Sequence, residues 1–254
     1  MKQIPNVFTL LNLFFGCCAI VYTMQSGALV SYSSEGSLVL YLPEKIALAS
    51  LFIGLAAVVD FLDGFVARLF KATSALGAQL DSLADVVSFG VAPGMILYQF
   101  LRLAFQKEQD GMDMSICWLL PAFILSCAAA YRLAKFNVDT TQQYGFRGVP
   151  TPAVGLLVAS FPLIYWYSGN MTVIELLQNK WVLYGVIVLL SGLMVSNLPI
   201  MALKFKDFGL KNNIPKLTLL AIAIIAGVLL KWIAVPVVFI AYIVLSLALK
   251  NKTT

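Results

Sequence analysis

Long apolar runs leave this chain little choice of environment. Eight of them, roughly 7–24, 46–70, 83–105, 116–135, 151–168, 181–203, 215–230 and 232–249, are separated by more polar connections. About 20 apolar residues in a helix cross the hydrocarbon core of a bilayer. Backbone N–H and C=O groups find no water there, so each such run has to pair them internally, as a helix does. Composition agrees: 61% of the 254 residues are apolar and only 11% are charged, which no water-soluble domain matches. The run from Val7 follows a single basic residue, Lys2, and no small-residue cleavage site comes after it, so it reads as a retained helix. The expected fold is all-α, a polytopic transmembrane bundle forming one domain over 1–254. Only Lys231 separates the last two runs, which predicts a tight helical hairpin over about 215–249.

Against this background four aspartates stand out: Asp60, Asp63, Asp81 and Asp85. A bare charge in a membrane segment costs several kcal/mol, so each of them needs a reason. In a helix Asp60 and Asp63 lie one turn apart, and Gly64 and Ala67 continue their stripe. On the following segment Gly77, Asp81, Ala84, Asp85 and Ser88 make a matching stripe. Two helices facing along these stripes bring four carboxylates together, with small residues leaving room between them. Crowded carboxylates repel unless a proton or a hard cation sits among them. Oxygen-only ligands favour Mg²⁺, Mn²⁺ or Ca²⁺ over zinc or copper.

Other residue types narrow the chemistry. The chain has no histidine, so a general base has to be a carboxylate, lysine, tyrosine or cysteine. Cys17, Cys18, Cys117 and Cys127 fall inside apolar runs without metal-like spacing and read as buried small hydrophobes. With the N-terminus on one side, that side collects twelve of the seventeen basic residues, which predicts cytoplasmic termini. The turn joining the two aspartate segments then faces the cytoplasm too. Four carboxylates holding two divalent ions suit in-line displacement at phosphorus, with one carboxylate accepting the proton of the attacking hydroxyl. Asp85, deepest on the second segment, is the expected base. The same carboxylates also suit an ion path, and spacing alone does not separate catalysis from cation transport.

The pattern Asp60-x2-Asp63-Gly64-x2-Ala67-Arg68-x8-Gly77-x3-Asp81-x3-Asp85 resembles the signature of the CDP-alcohol phosphatidyltransferase family at all eight fixed positions. The resemblance implies membrane enzymes that move a phosphatidyl group from a CDP-activated lipid to an alcohol and release CMP. It implies Asp60, Asp63, Asp81 and Asp85 as ligands of two ions, Mg²⁺ or Mn²⁺, with Asp85 also the base. It implies CDP-lipid contacts from Asn6, Thr9, Asp60, Gly64, Arg68 and Ser74. The family core has six helices, which here covers about 1–203 and leaves the C-terminal hairpin as an addition. The segments S-F-G-V-A-P (88–93), Y-R-L-A-K-F-N (131–137) and F-R-G-V-P-T-P-A (146–153) are similar to the bacterial branch that uses serine. That implies CDP-diacylglycerol and L-serine as substrates, with glycerol 3-phosphate or inositol as alternative alcohols. Arg132, Asn137, Arg147 and Thr151 are the expected serine contacts, the arginines suiting its carboxylate. A homodimer in the inner (cell) membrane, among its lipids, is expected, and no nucleic-acid partner.

Overall fold

The computed structural model describes residues 4–32, 38–69, 74–108, 114–138, 146–201 and 210–248. Its first helix, α1 (Ile4–Met24), explains the arrangement of the rest. Thr9, Asn12, Gly16, Ala19 and Thr23 recur at helical spacing and are all buried, while Val7, Leu10, Phe14 and Val21 on the opposite side are exposed. Polar and small residues therefore face protein and large apolar ones face outward, the inverse of a water-soluble helix and the pattern of one in lipid. α1 packs along α2 (Ile46–Leu69), where Ala49, Ile53 and Ala56 are fully buried. Between them a short hairpin pairs β1 (Leu29–Tyr32) with β2 (Leu38–Tyr41).

The second aspartate segment is helical from further upstream than the apolar run suggested. α3 (Ala75–Asp85) starts at Ser74, whose Oγ accepts from the Gly77 N–H at 3.0 Å. It passes through a π-helical turn at Val86–Val91 into α4 (Ala92–Gln106). A π-helical turn widens a helix by one residue and is frequent at functional sites; here it begins directly after Asp85. α1 lies so close to this turn that a Cβ on Gly16 would sit 2.4 Å from Ser88 Oγ. α5 (Ile124–Val138) packs on α8 (Lys180–Val195), and α6 (Thr151–Tyr167) on α2 and α4. A short helix, α7 (Met171–Leu177), meets α8 at a 72° bend.

Among the described residues, five helical stretches are long and apolar enough to cross a membrane, or six if the bent pair α7–α8 is one span. The chain is thus an all-α, multi-pass membrane protein. Four of the eight expected runs differ in detail. α6 has 17 residues, short for a span. The expected run 181–203 is cut at Val195, because Pro199–Ile200 forms β4 and pairs with β3 (Phe146–Arg147). The last two runs form one helical stretch, Asn213–Ala248, broken at Lys231, whose φ of +52° is left-handed. The two pieces, α9 (Leu210–Leu230) and α10 (Ala234–Ala248), pack on each other, and α10 packs on α6. The cysteines depart from the buried reading: all four are free, and Cys17, Cys117 and Cys127 are exposed on the outer surface, where a thiol among apolar neighbours suits lipid as well as it suits a core.

Candidate functional site

The aspartates of α2 and α3 meet beside α1, on which both helices pack. One carboxylate oxygen each of Asp60, Asp63 and Asp81 lies within 4.8 Å of the other two. Helical spacing accounts for this, since the step of three places Asp60 and Asp63 on one face and the return of the chain brings Asp81 opposite. Asp85 lies outside this trio but adjoins it at Asp60. It is 7% exposed, within hydrogen-bonding reach of Asp60, and its Oδ1 accepts from Asn12 Nδ2 at 3.2 Å. The four aspartates are therefore a group of three with a fourth behind it, rather than one ring. Asp81 Oδ1 is buried without a hydrogen-bond partner among the described residues, and an oxygen in that state has lone pairs ready for a cation. An all-oxygen donor set of this kind fits a hard divalent ion.

α1 supports the cluster from the side. Thr9 Oγ1 donates to Asp63 Oδ2 at 2.9 Å while also reaching the Pro5 carbonyl at 3.2 Å. Asn12 is fully buried, and its backbone oxygen accepts from Ser88 Oγ at 3.0 Å, which fixes α1 on the π-helical turn. Asn12 was not among the expected site residues. Its signal was present, three positions after Thr9 and six after Asn6, on the face that Gly16 continues. Asn6 Oδ1 lies at the start of α3, 3.2 Å from where a Cβ on Gly77 would be, close to Ser74. Asn6, Thr9 and Ser74 thus line the same end of the site as the aspartates. Gly64 is partly buried on the next turn of α2. Arg68 continues that helix, but its side chain lies outside the described residues.

Of the four expected acceptor residues, two come together. Arg132 Nη1 donates to Thr151 Oγ1 at 3.1 Å, and Thr151 is fully buried. Arg132 Nε is buried and has no hydrogen-bond partner among the described residues, and the guanidinium is within electrostatic reach of Asp85. Arg132 also lines a small cleft with Tyr131, Lys135, Phe136, Met194, Val195 and Ser196, between the ends of α5 and α8. Asn137 is placed elsewhere: its Nδ2 donates to Ser82 Oγ at 2.9 Å, and Gln79 Oε1 lies 3.5 Å away, both on α3. It ties α5 to the aspartate helix. The side chain of Arg147 lies outside the described residues, although its backbone is in β3.

A multi-pass helical protein with an oxygen-donor cluster at one end of a helix pair defines a class, a membrane protein built to hold hard cations beside a buried carboxylate. Residues 2–195 match the CDP-alcohol phosphatidyltransferase family, and the chain belongs to that family. Among its relatives is the CDP-diacylglycerol–serine O-phosphatidyltransferase of Helicobacter pylori, 34% identical over 200 residues, covering 76% of this chain and 70% of the relative. The enzyme of the same name from Mycobacterium tuberculosis is 30% identical over 256 residues, covering 95% of this chain and 76% of the relative. That from Saccharomyces cerevisiae is 38% identical over 166 residues, covering 61% and 52%.

Proposed function

We propose that this protein transfers the phosphatidyl group of CDP-diacylglycerol to the hydroxyl of L-serine, giving phosphatidylserine and CMP. The observation that carries the reading is the position of Asp85. It adjoins Asp60 of the aspartate trio, is held by Asn12, and is within electrostatic reach of Arg132. The names of the relatives point to the same substrates.

In this reading Asp60, Asp63, Asp81 and Asp85 hold two divalent ions, Mg²⁺ or Mn²⁺, which when bound neutralise the diphosphate oxygens and the departing CMP. Asn6, Thr9, Gly64, Arg68 and Ser74 border the CDP group. Thr9 also fixes the Asp63 carboxylate by its hydrogen bond. Arg132 pairs with the serine carboxylate through its guanidinium, a charge-assisted contact that a neutral alcohol lacks. Asp85, oriented by Asn12, takes the serine hydroxyl proton. The serine oxygen bonds to the lipid-side phosphorus, and the bond from that phosphorus to the CMP oxygen breaks. CMP carries away the negative charge. The protein belongs, in this account, in the cell (inner) membrane as a homodimer, with the aspartate end and both termini toward the cytoplasm. The basic residues on that side support the orientation.

Purified protein in detergent, given CDP-diacylglycerol and labelled serine, glycerol 3-phosphate or inositol in parallel, tests this. Label is expected in lipid from serine alone, with equimolar CMP. Label from another alcohol would keep the chemistry and overturn the serine assignment. Folded protein with divalent metal and no CMP from any acceptor would leave cation transport as the better reading.

A further inference from the structure

The family match ends at residue 195, and the helices α9 and α10 lie beyond it. On α10, Ile240 and Val244 are well exposed, as expected of a lipid-facing helix, yet Tyr242 and Ser246 on its other face are buried and polar. Both are bonded to one residue. Tyr242 Oη donates to the Met201 carbonyl at 2.9 Å, and the Met201 N–H donates to Ser246 Oγ at 3.2 Å. Ser246 Oγ in turn donates to the Tyr242 carbonyl at 2.7 Å. Met201 directly follows β4, and β4 pairs with β3 in the register Phe146↔Ile200 and Arg147↔Pro199. Beyond β3 the Gly148 N–H donates to the Leu198 carbonyl at 2.8 Å and the Val149 N–H to the Leu193 carbonyl at 3.1 Å. Two residues later Thr151 opens α6 and receives the bond from Arg132. Tyr242 is also within electrostatic reach of that guanidinium.

We propose that α10 is a working part of the acceptor side: Tyr242 and Ser246 brace β4, and through β3 and the start of α6 they set Arg132 for the carboxylate of the acceptor. Both are positioning residues, since neither touches the reacting atoms. Apolar side chains would pack α10 against α6 without hydrogen bonds, so packing alone gives no reason for this polar pair. Fixing the Met201 backbone from both its N–H and its carbonyl gives one. The inference rests on the serine reading above and adds a specificity role for a segment outside the family match.

The test compares the double variant Tyr242→Phe, Ser246→Ala with Val238→Ala. Val238 lines the cleft between α9 and α10 and has no bond to Met201. Full-length proteins in detergent are assayed for CMP release at varied serine and varied CDP-diacylglycerol, with thermal midpoints recorded for each. The double variant should raise the KM for serine about fivefold or more, the worth of a hydrogen bond or two. Its KM for CDP-diacylglycerol and its kcat should stay within about twofold of wild type. Val238→Ala should lower the midpoint and leave both KM values in place. An unchanged serine KM in the double variant, or equal rises for both substrates in both proteins, overturns the brace while serine-dependent release by wild type upholds the function. No serine-dependent CMP release by wild type overturns the function reading and the brace with it.

Discussion

The two halves of the site are built differently. The aspartate half uses two helices joined by a short connection, and its geometry follows from steps of three and four along each of them. The proposed acceptor half, around Arg132 and Thr151, joins α5 to the start of α6 and is tied to a two-residue strand pair and to α10. One half takes its carboxylates from two segments adjacent in sequence and leans on α1 for support; the other is braced by strands and a helix drawn from segments far apart in sequence. Substitutions in the first should therefore affect the chemical step, and substitutions in the second should affect acceptor binding.

The strongest way to break this division is Asp85→Asn. Removing the base should lower kcat by about 10²–10⁴-fold, with serine KM little changed, as read from CMP release under saturating substrates. A large rise in serine KM instead would put Asp85 in the acceptor half. Arg132→Gln should do the opposite. The loss of a charge-assisted contact is worth about 10–100-fold, and it should appear in serine KM while CDP-diacylglycerol KM holds.

Gly148→Ala sharpens the claim that the acceptor half hangs on distant packing. Gly148 has a φ of +78°, and a Cβ there would lie 2.4 Å from the Met194 carbonyl oxygen. The strained backbone alone costs about 1–3 kcal/mol, so a lower thermal midpoint should come with a higher serine KM. Asn12→Ala is the finest probe. It removes one hydrogen bond to Asp85 from outside the aspartate helices, and a drop in kcat of about tenfold at unchanged KM values is expected.

The same division explains what the sequence made legible. Asp60, Asp63, Asp81 and Asp85 were readable because carboxylates are conspicuous in apolar runs and their spacing is helical. Even so, the separation of Asp85 from the trio is a matter of side-chain packing against Asn12, which no spacing rule contains. The polar face of α1 was half legible: Asn6 and Thr9 were singled out and Asn12, at the same interval, was not. The length of the span at 181–203 was misjudged because pairing of Pro199–Ile200 with Phe146–Arg147 ends it early, and that pairing joins segments some fifty residues apart. Asn137 looked like a neighbour of Arg132 by sequence, yet one helical turn and a bit carries it round to Ser82 on α3. Tyr242 carried no signal, since one tyrosine in an apolar helix resembles any interfacial anchor.

The central claim is that the aspartate cluster is a divalent-metal centre serving transfer to serine. One measurement addresses it most directly: Mn²⁺ bound per chain, counted by spin resonance on metal-stripped protein with CDP-diacylglycerol present, with CMP release on serine addition followed in the same sample. For wild type we expect two saturable ions and CMP release that rises with their binding; for Asp60→Asn, loss of both. Serine-dependent CMP release from protein that binds no ion, or an Asp60→Asn variant that binds and reacts like wild type, would contradict the account.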